Sequence, residues 1–184
     1  MILKYLQNFM EKVQNGKVEI YNEFSLQHEL GIYLRNALPD YKVQFERNVS
    51  FFNISNTIKK EIDIVIYKVN SVGEKINKQA IELKHPLNGQ YPEQMYSFIK
   101  DIRFMEELKE NGFDNTYCLT LVKDKNFYSG NKTDGIYSFF RVGQPICGTI
   151  KKPTGKSIQS ISISKNYYIT WKSCNNMQYY LLEM

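Results

Sequence analysis

The sequence predicts an α/β (α+β) fold in which a mixed central sheet is flanked by helices, with extra strands near the C-terminus. Three observations predict it: two amphipathic helical segments come first, three strand-like runs follow, and a long helical segment then precedes a buried strand. The 184 residues are enough for a single domain, 1–184. We divide it into an N-terminal helix (1–19), a core (20–123) and a strand-rich extension (124–184).

Apolar residues at the spacing of one helix face predict three helices, over residues 2–14, 23–37 and 92–110. A glycine or a proline follows each of these segments within two residues, which is a typical signal for the end of a helix. The third segment also begins with a proline, which is well tolerated in the first turn. We therefore expect all three boundaries to be sharp.

Runs rich in β-branched and aromatic residues predict the strands, and the polar stretch 68–78 is typical of a hairpin loop. Beyond residue 123 the pattern is weaker, and residues 129–135 are expected to form a polar loop. The predicted strands of the core are 42–52, 61–67, 79–84 and 116–122, and those of the extension are 161–164, 167–171 and 177–183.

Composition limits the classes of function. The net charge is +5, with a pI near 8.9, which suits a polyanionic partner such as nucleic acid. Three widely spaced cysteines argue against a disulfide framework or a zinc knuckle and favour a reducing, cytoplasmic setting. The first residues predict an amphipathic helix and not a signal peptide, and no apolar run has membrane-spanning length, so no membrane partner is expected.

Strand alternation brings three charged residues together. In the run 61–67 the three isoleucines point one way and Asp63 the other, while Glu82 and Lys84 share one face of the next strand. If the strands pair as a hairpin, the three charged side chains meet on one face. Two carboxylates can hold a hard divalent cation, and a neighbouring ammonium can orient a water or stabilise a phosphorane.

Ile62-Asp63, a hairpin loop and then Glu82-Leu83-Lys84 resemble the signature of the PD-(D/E)XK nuclease superfamily. The element order of residues 20–123 is similar to the restriction-endonuclease-like core of that superfamily. Ile62 stands where the motif has proline, a position that is not a ligand. The resemblance implies a nuclease that hydrolyses phosphodiester bonds with Mg²⁺, or with Mn²⁺ as a substitute, and acts on DNA in preference to RNA.

The resemblance also assigns roles. The implied metal ligands are Asp63, Glu82, the Leu83 carbonyl and a glutamate of the first core helix, for which Glu29 is our choice and Glu23 the competitor. Lys84 is the implied catalytic lysine. Gln94 would assist from the helix after the motif, with Tyr91 as a lesser candidate. Many nucleases cut both strands as pairs of subunits, so a homodimer stays open.

Other interpretations remain at this point. The charged hairpin could face solvent in an unrelated α/β interaction protein, or the fold could be a catalytically inactive module that binds nucleic acid or a protein. His85 could contact phosphate, although a place at the end of a strand is favoured. Residues 153–157 resemble a phosphate-binding loop, but Ile150 stands where that loop needs glycine, so we reject this assignment.

Overall fold

A six-stranded mixed sheet with helices on both faces forms the centre of the molecule, in a computed structural model that describes residues 2–155 and 159–184. The helices are α1 (Ile2–Gln14), α2 (Glu23–Ala37), α3 (Tyr91–Glu110) and α4 (Tyr137–Arg141). The strands are β1 (Lys42–Asn48), β2 (Glu61–Val69), β3 (Lys75–Lys84), β4 (Asn115–Val122), β5 (Ile146–Lys151), β6 (Ser160–Tyr167), β7 (Lys172–Cys174) and β8 (Met177–Glu183).

The strand order in the central sheet is β1-β2-β3-β4-β8-β7, and β5 and β6 form a separate hairpin. Strands β3 and β4 run parallel, because α3 carries the chain back along the sheet between them. The other neighbours are antiparallel. Pairing of β8 with β4 builds the C-terminal strands into the central sheet, so they continue it beyond the predicted core.

Two apolar layers cover the two faces of the sheet. Helices α1 and α2 pack on one face, where the buried residues include Leu6, Leu26, Ile64 and Leu83. Helix α3 and the β5–β6 hairpin cover the other face, where they bury a second and larger cluster. Side chains on one face of β2 and β3 therefore pack toward α1 and α2, and those on the other face pack toward α3.

Helix α2 lies unusually close to β1. A Cβ atom on Gly31 would overlap the Phe45 ring, so only glycine permits this approach. The Arg35 guanidinium covers the same ring, with its carbon 4.7 Å from the ring centroid, and donates to the Val43 carbonyl. These contacts fix the distance between α2 and the edge of the sheet.

Several predicted boundaries are wrong. The strand predicted over 42–52 ends at Asn48, whose side chain accepts from the Ser50 amide and starts a short 3-10 turn over Val49–Phe52. The predicted loop 68–78 is mostly strand, with a turn only over 70–74. In the run 167–171 only Tyr167 lies in a strand.

Short elements of the extension were not predicted, namely α4, β5, β7 and a 3-10 turn over Lys125–Phe127, whereas the helices α1 to α3 begin and end within one residue of their predicted bounds. The polar stretch 129–135 forms a loop, as predicted. Lys156 and Ser157, which belong to the segment that resembles a phosphate-binding loop, lie outside the described residues.

Candidate active site

The candidate site lies where β2 and β3 separate. Ladder pairing between the strands runs as far as Ile64 and Ile81. Beyond that pair, side chains replace the ladder: Oδ2 of Asp63 accepts from the Leu83 amide at 2.7 Å, and the Asp63 amide donates to Oε1 of Glu82 at 3.4 Å. The opening of the hairpin therefore brings the two carboxylates of the motif between the strands.

The alternation of β2 breaks at the same point. Ile64 belongs to the layer under α1 and α2, whereas Ile62 belongs to the layer under α3, so the prediction that all three isoleucines share a face is wrong for Ile62. On β1, Phe45 and Arg47 pair with Ile64 and Ile62, and Glu46 between them adopts a left-handed conformation with φ of 46°. Such a backbone is strained for a residue other than glycine and often accompanies functional sites.

Helix α2 adds a carboxylate and an amide. Oε2 of Glu23 accepts from the His85 amide at 2.8 Å, and Oε1 lies 3.4 Å from the Lys84 ammonium. The Gln27 side chain donates to the Asp63 carbonyl at 2.9 Å and to the carboxylate of Glu46. The side chains of Glu23 and Gln27 on α2 thus contact the residues at the point where β2 and β3 separate.

A capping box fixes the start of α2 and hence the place of Glu23. The Ser25 amide donates to the Asn22 side chain at 2.7 Å, and the Asn22 amide donates to the Ser25 hydroxyl at 3.0 Å. Glu29 is six residues further on, about 240° around the helix. Among the described hydrogen bonds and ion pairs, none joins Glu29 to the site, so the structure brings Glu23 there in place of the residue that we chose from the sequence.

Two further charged residues, which the sequence did not reveal, complete the cluster. The Lys59 ammonium bonds to Oε2 of Glu82 and lies 2.9 Å from Oδ1 of Asp101, on α3. Oδ2 of Asp101 lies 3.7 Å from the Lys84 ammonium and, within the described part of the chain, has no hydrogen-bond partner. Glu82 is 1% exposed and Asp101 3% exposed, so both carboxylates are removed from water.

The electrostatics of the cluster are unbalanced. Glu23, Asp63, Glu82 and Asp101 face two lysines, which leaves two negative charges in excess when all six groups are ionised. Burial raises the pKa of Asp63 to about 6, even though Lys59 and Lys84 lower it. Burial, together with the charges of Asp63 and Asp101, raises the pKa of Glu82 well above its usual value.

For the two lysines, neighbouring charges and not burial decide the direction of the pKa shift. Burial lowers the pKa of each ammonium, but neighbouring carboxylates outweigh burial and raise both pKa values above the usual one. Asp101 is the main source of this effect for both lysines. The ammonium groups of Lys59 and Lys84 are therefore held in the charged form at neutral pH.

The cluster offers oxygen donors, which are the ligands that a hard divalent cation prefers. Asp63 and the Leu83 backbone line a pocket of about 210 Å³ beside Glu23 and Glu46, which are further oxygen donors. Within residues 2–155 and 159–184, no three His, Cys, Asp or Glu side chains are arranged to hold a metal ion. A cation would therefore need the Leu83 carbonyl, which now accepts from Lys84 at 3.1 Å, and it would compete with Lys59 for Glu82.

The remaining residues that were considered from the sequence have other contacts. The Gln94 amide donates to the Asn88 side chain at 3.1 Å, and the Tyr91 hydroxyl bonds to Asp124. Neither of these contacts reaches the charged cluster. Nδ1 of His85 lies 2.9 Å from the Leu121 carbonyl, and the residue is buried directly after β3, as is typical of the end of a strand.

Comparison of the chain with known protein families, sequences and structures identifies no relative. The chain matches no protein-family model, and no curated protein or solved structure gives a significant match. In the described ranges 2–155 and 159–184, no helix combines the length and the apolar character needed to cross a membrane.

Proposed function

We propose that the chain is a Mg²⁺-dependent nuclease of the PD-(D/E)XK type, with a restriction-endonuclease-like core and with DNA preferred over RNA. The observation that carries the proposal is the convergence of four carboxylates and two lysines where β2 and β3 separate. Asp63, Glu82 and Lys84, which form the motif, lie in this cluster. When all six groups are ionised, the cluster carries two excess negative charges, which a divalent cation would balance. Mg²⁺ prefers such oxygen donors and uses few of them, together with water and phosphate.

The ligands would be Asp63, Glu82 and the Leu83 carbonyl, with Glu23 in the role that the sequence had given to Glu29. Bound Mg²⁺ supplies Lewis acidity toward a phosphate oxygen and acidifies a water. The Lys84 ammonium would donate hydrogen bonds to the attacking water or to the phosphate oxygens, because its raised pKa keeps it protonated. Asp101 and Glu23 flank this ammonium and would restrict its position.

Support for a nucleic-acid substrate comes from the basic chain and from the resemblance. The net charge of +5 favours association with a polyanion, even though the site itself is acidic. Helices α2 and α3 on opposite faces of the four strands β1 to β4 are similar to the common core of the superfamily. A hydrolase for small phosphodiesters would use the same cluster, so the choice between substrates needs an assay.

A substrate panel tests the proposal. Supercoiled, linear and single-stranded DNA and single-stranded RNA are incubated with Mg²⁺ or Mn²⁺. The wild type should cleave DNA and Asp63→Asn should not. Glu29→Gln serves as a control that alters a carboxylate of α2 away from the cluster. Equal cleavage by the wild type and Asp63→Asn would refute the site assignment.

One observation favours a second candidate, a catalytically inactive module with the same fold. The Lys59 ammonium already bonds to Glu82 and so supplies part of the charge that a cation would bring. Calorimetric titration with Mn²⁺ separates the two candidates. The nuclease should bind Mn²⁺ in a way that Asp63→Asn abolishes, whereas the inactive module should show no binding that depends on Asp63.

A further inference from the structure

Two exposed aromatic side chains stand on either side of Glu23. Tyr21, just before α2, is 66% exposed, and Phe24, in its first turn, is 69% exposed. Among the described residues only one other Phe, Tyr or Trp, Tyr168, is classed as exposed. Exposed aromatic rings are therefore concentrated at the mouth of the candidate site, where Glu23 meets Lys84.

Phe24 forms a stacked pair of rings with His28 on the surface of α2. Its ring stacks on the exposed His28 ring one turn further along α2, with centroids 6.0 Å apart and planes 8° from parallel. Phe24 also lines the pocket of about 210 Å³ that contains Asp63 and Leu83. A planar group next to these residues could extend the stack.

Tyr21 lines a separate groove of about 520 Å³, together with Leu87, Lys123 and His85, whose amide donates to Glu23. Asn175 and Asn176 also line it. An aromatic ring suits a base, an ammonium suits a phosphate, and amides suit base edges or sugars. The groove thus offers the groups that bind one nucleotide, next to the residues of the motif.

We propose that the protein holds its nucleic acid as an unpaired strand, with bases on the two sides of the reacting phosphate stacked on Tyr21 and Phe24. The proposal rests on the proposed function and specifies its substrate. In a duplex both faces of each base are already covered by neighbouring bases, so side-chain stacking selects nucleotides that are single-stranded or flipped out. A protein partner is disfavoured because the two rings line different pockets, beside charged residues, instead of forming one apolar patch.

The test uses a single-stranded oligodeoxynucleotide that carries 2-aminopurine, the same oligonucleotide in a duplex, and Ca²⁺ in place of Mg²⁺. The wild type should bind the single strand about tenfold or more tightly than the duplex and should quench 2-aminopurine fluorescence on binding. Phe24→Ala should weaken single-strand binding by about tenfold and reduce the quenching, whereas Phe24→Trp should retain both. Tyr168→Ala is the matched control, because it removes an exposed aromatic ring elsewhere.

Three results would overturn the proposal: duplex binding as tight as single-strand binding, unchanged binding by Phe24→Ala, or no binding of any oligonucleotide. The proposed function is tested separately, by measuring DNA cleavage in Mg²⁺ for variants at Glu82 and Phe24. Cleavage that requires Glu82 but shows no dependence on Phe24 would overturn only the stacking proposal. Cleavage that does not require Glu82 would overturn the proposed function.

Discussion

The Lys59 ammonium lies 2.9 Å from Oδ1 of Asp101 and so joins the segment before β2 to the middle of α3. The same ammonium bonds to Glu82, the more deeply buried carboxylate of the motif. Buried carboxylates without a cation are costly, and the Lys59 ammonium, shared between Glu82 and Asp101, offsets part of the cost of burying them side by side. In the proposed enzyme, Mg²⁺ would take over part of this neutralisation.

Removing the Lys59 charge should destabilise the protein in a way that a divalent cation corrects. Lys59→Met should lower the free energy of unfolding by about 3 kcal/mol in EDTA, because buried Glu82 loses its ammonium partner and Asp101 keeps only the more distant Lys84. Mn²⁺ should restore part of this loss. Urea unfolding measures both effects.

Lys60→Met is the matched control, since the Lys60 side chain is exposed and donates only to the Ser55 carbonyl among its described side-chain bonds. It should change the free energy of unfolding by about 0.5 kcal/mol or less. If the two variants were equally stable, Lys59 would not neutralise the cluster.

Glu23, and not Glu29, should matter for activity. Glu23→Gln keeps an oxygen that can accept from the His85 amide but removes the charge beside Lys84, so the cleavage rate should fall by about tenfold or more. Glu29→Gln should leave the rate unchanged. Single-turnover cleavage measures both rates, and the reverse ranking would restore the assignment that we made from the sequence.

The metal-free protein should lose stability as Asp63 ionises. The pKa of Asp63 is raised from 3.8 to about 6 in the folded state, so the folded protein binds this proton more tightly than the unfolded chain. The associated stability is complete below pH 3.8 and is lost as the pH rises through about 6. The shift corresponds to about 2 to 3 kcal/mol.

Asp63→Asn cannot ionise and keeps an oxygen for the Leu83 amide. In EDTA it should therefore exceed the wild type in free energy of unfolding by about 2 kcal/mol at pH 7.5, with little difference at pH 4. Asp40→Asn, at an exposed aspartate, controls for general charge effects. A difference that stayed constant between these pH values would contradict the titration of Asp63.

The close approach of α2 to β1 should be sensitive to one methyl group. Gly31→Ala places that group in the Phe45 ring, and overpacking of this kind should cost about 2 kcal/mol. The double variant Gly31→Ala/Phe45→Leu should recover part of the loss, because the smaller side chain vacates the space. Thermal unfolding measures the coupling, and additive effects of the two substitutions would contradict the packing.

The sequence predicted the helices and the strand centres, which depend on local residue patterns. Helices α1, α2 and α3 follow from apolar spacing and from the glycine or proline after each, because helix formation and termination depend on residues within a few positions. The centres of β1 to β4 follow from β-branched runs. Strand β5 was missed, since it contains Gly148 in a left-handed conformation and mostly exposed residues, without clear alternation.

The charged cluster was only partly predictable, because it depends on tertiary packing. Alternation suggested that Asp63, Glu82 and Lys84 share a face, but Lys59 precedes β2 in an irregular segment that has no periodic pattern. Asp101 did leave a signal, as a charged residue within the apolar stripe of α3, three residues after Phe98. Choosing between Glu23 and Glu29 required the rotation of α2, which its capping box and its packing on β1 determine.

The central claim, metal-dependent phosphodiester cleavage by the motif residues, is tested most directly by the Glu82→Gln variant. The measurement is the single-turnover rate of cleavage of an end-labelled DNA, supplied both single-stranded and as a duplex, in Mg²⁺, for the wild type and for Glu82→Gln. We predict cleavage by the wild type that stops in EDTA, and a rate at least about a hundredfold lower for Glu82→Gln. Equal rates for the two proteins, or no cleavage by the wild type in either Mg²⁺ or Mn²⁺, would contradict the claim.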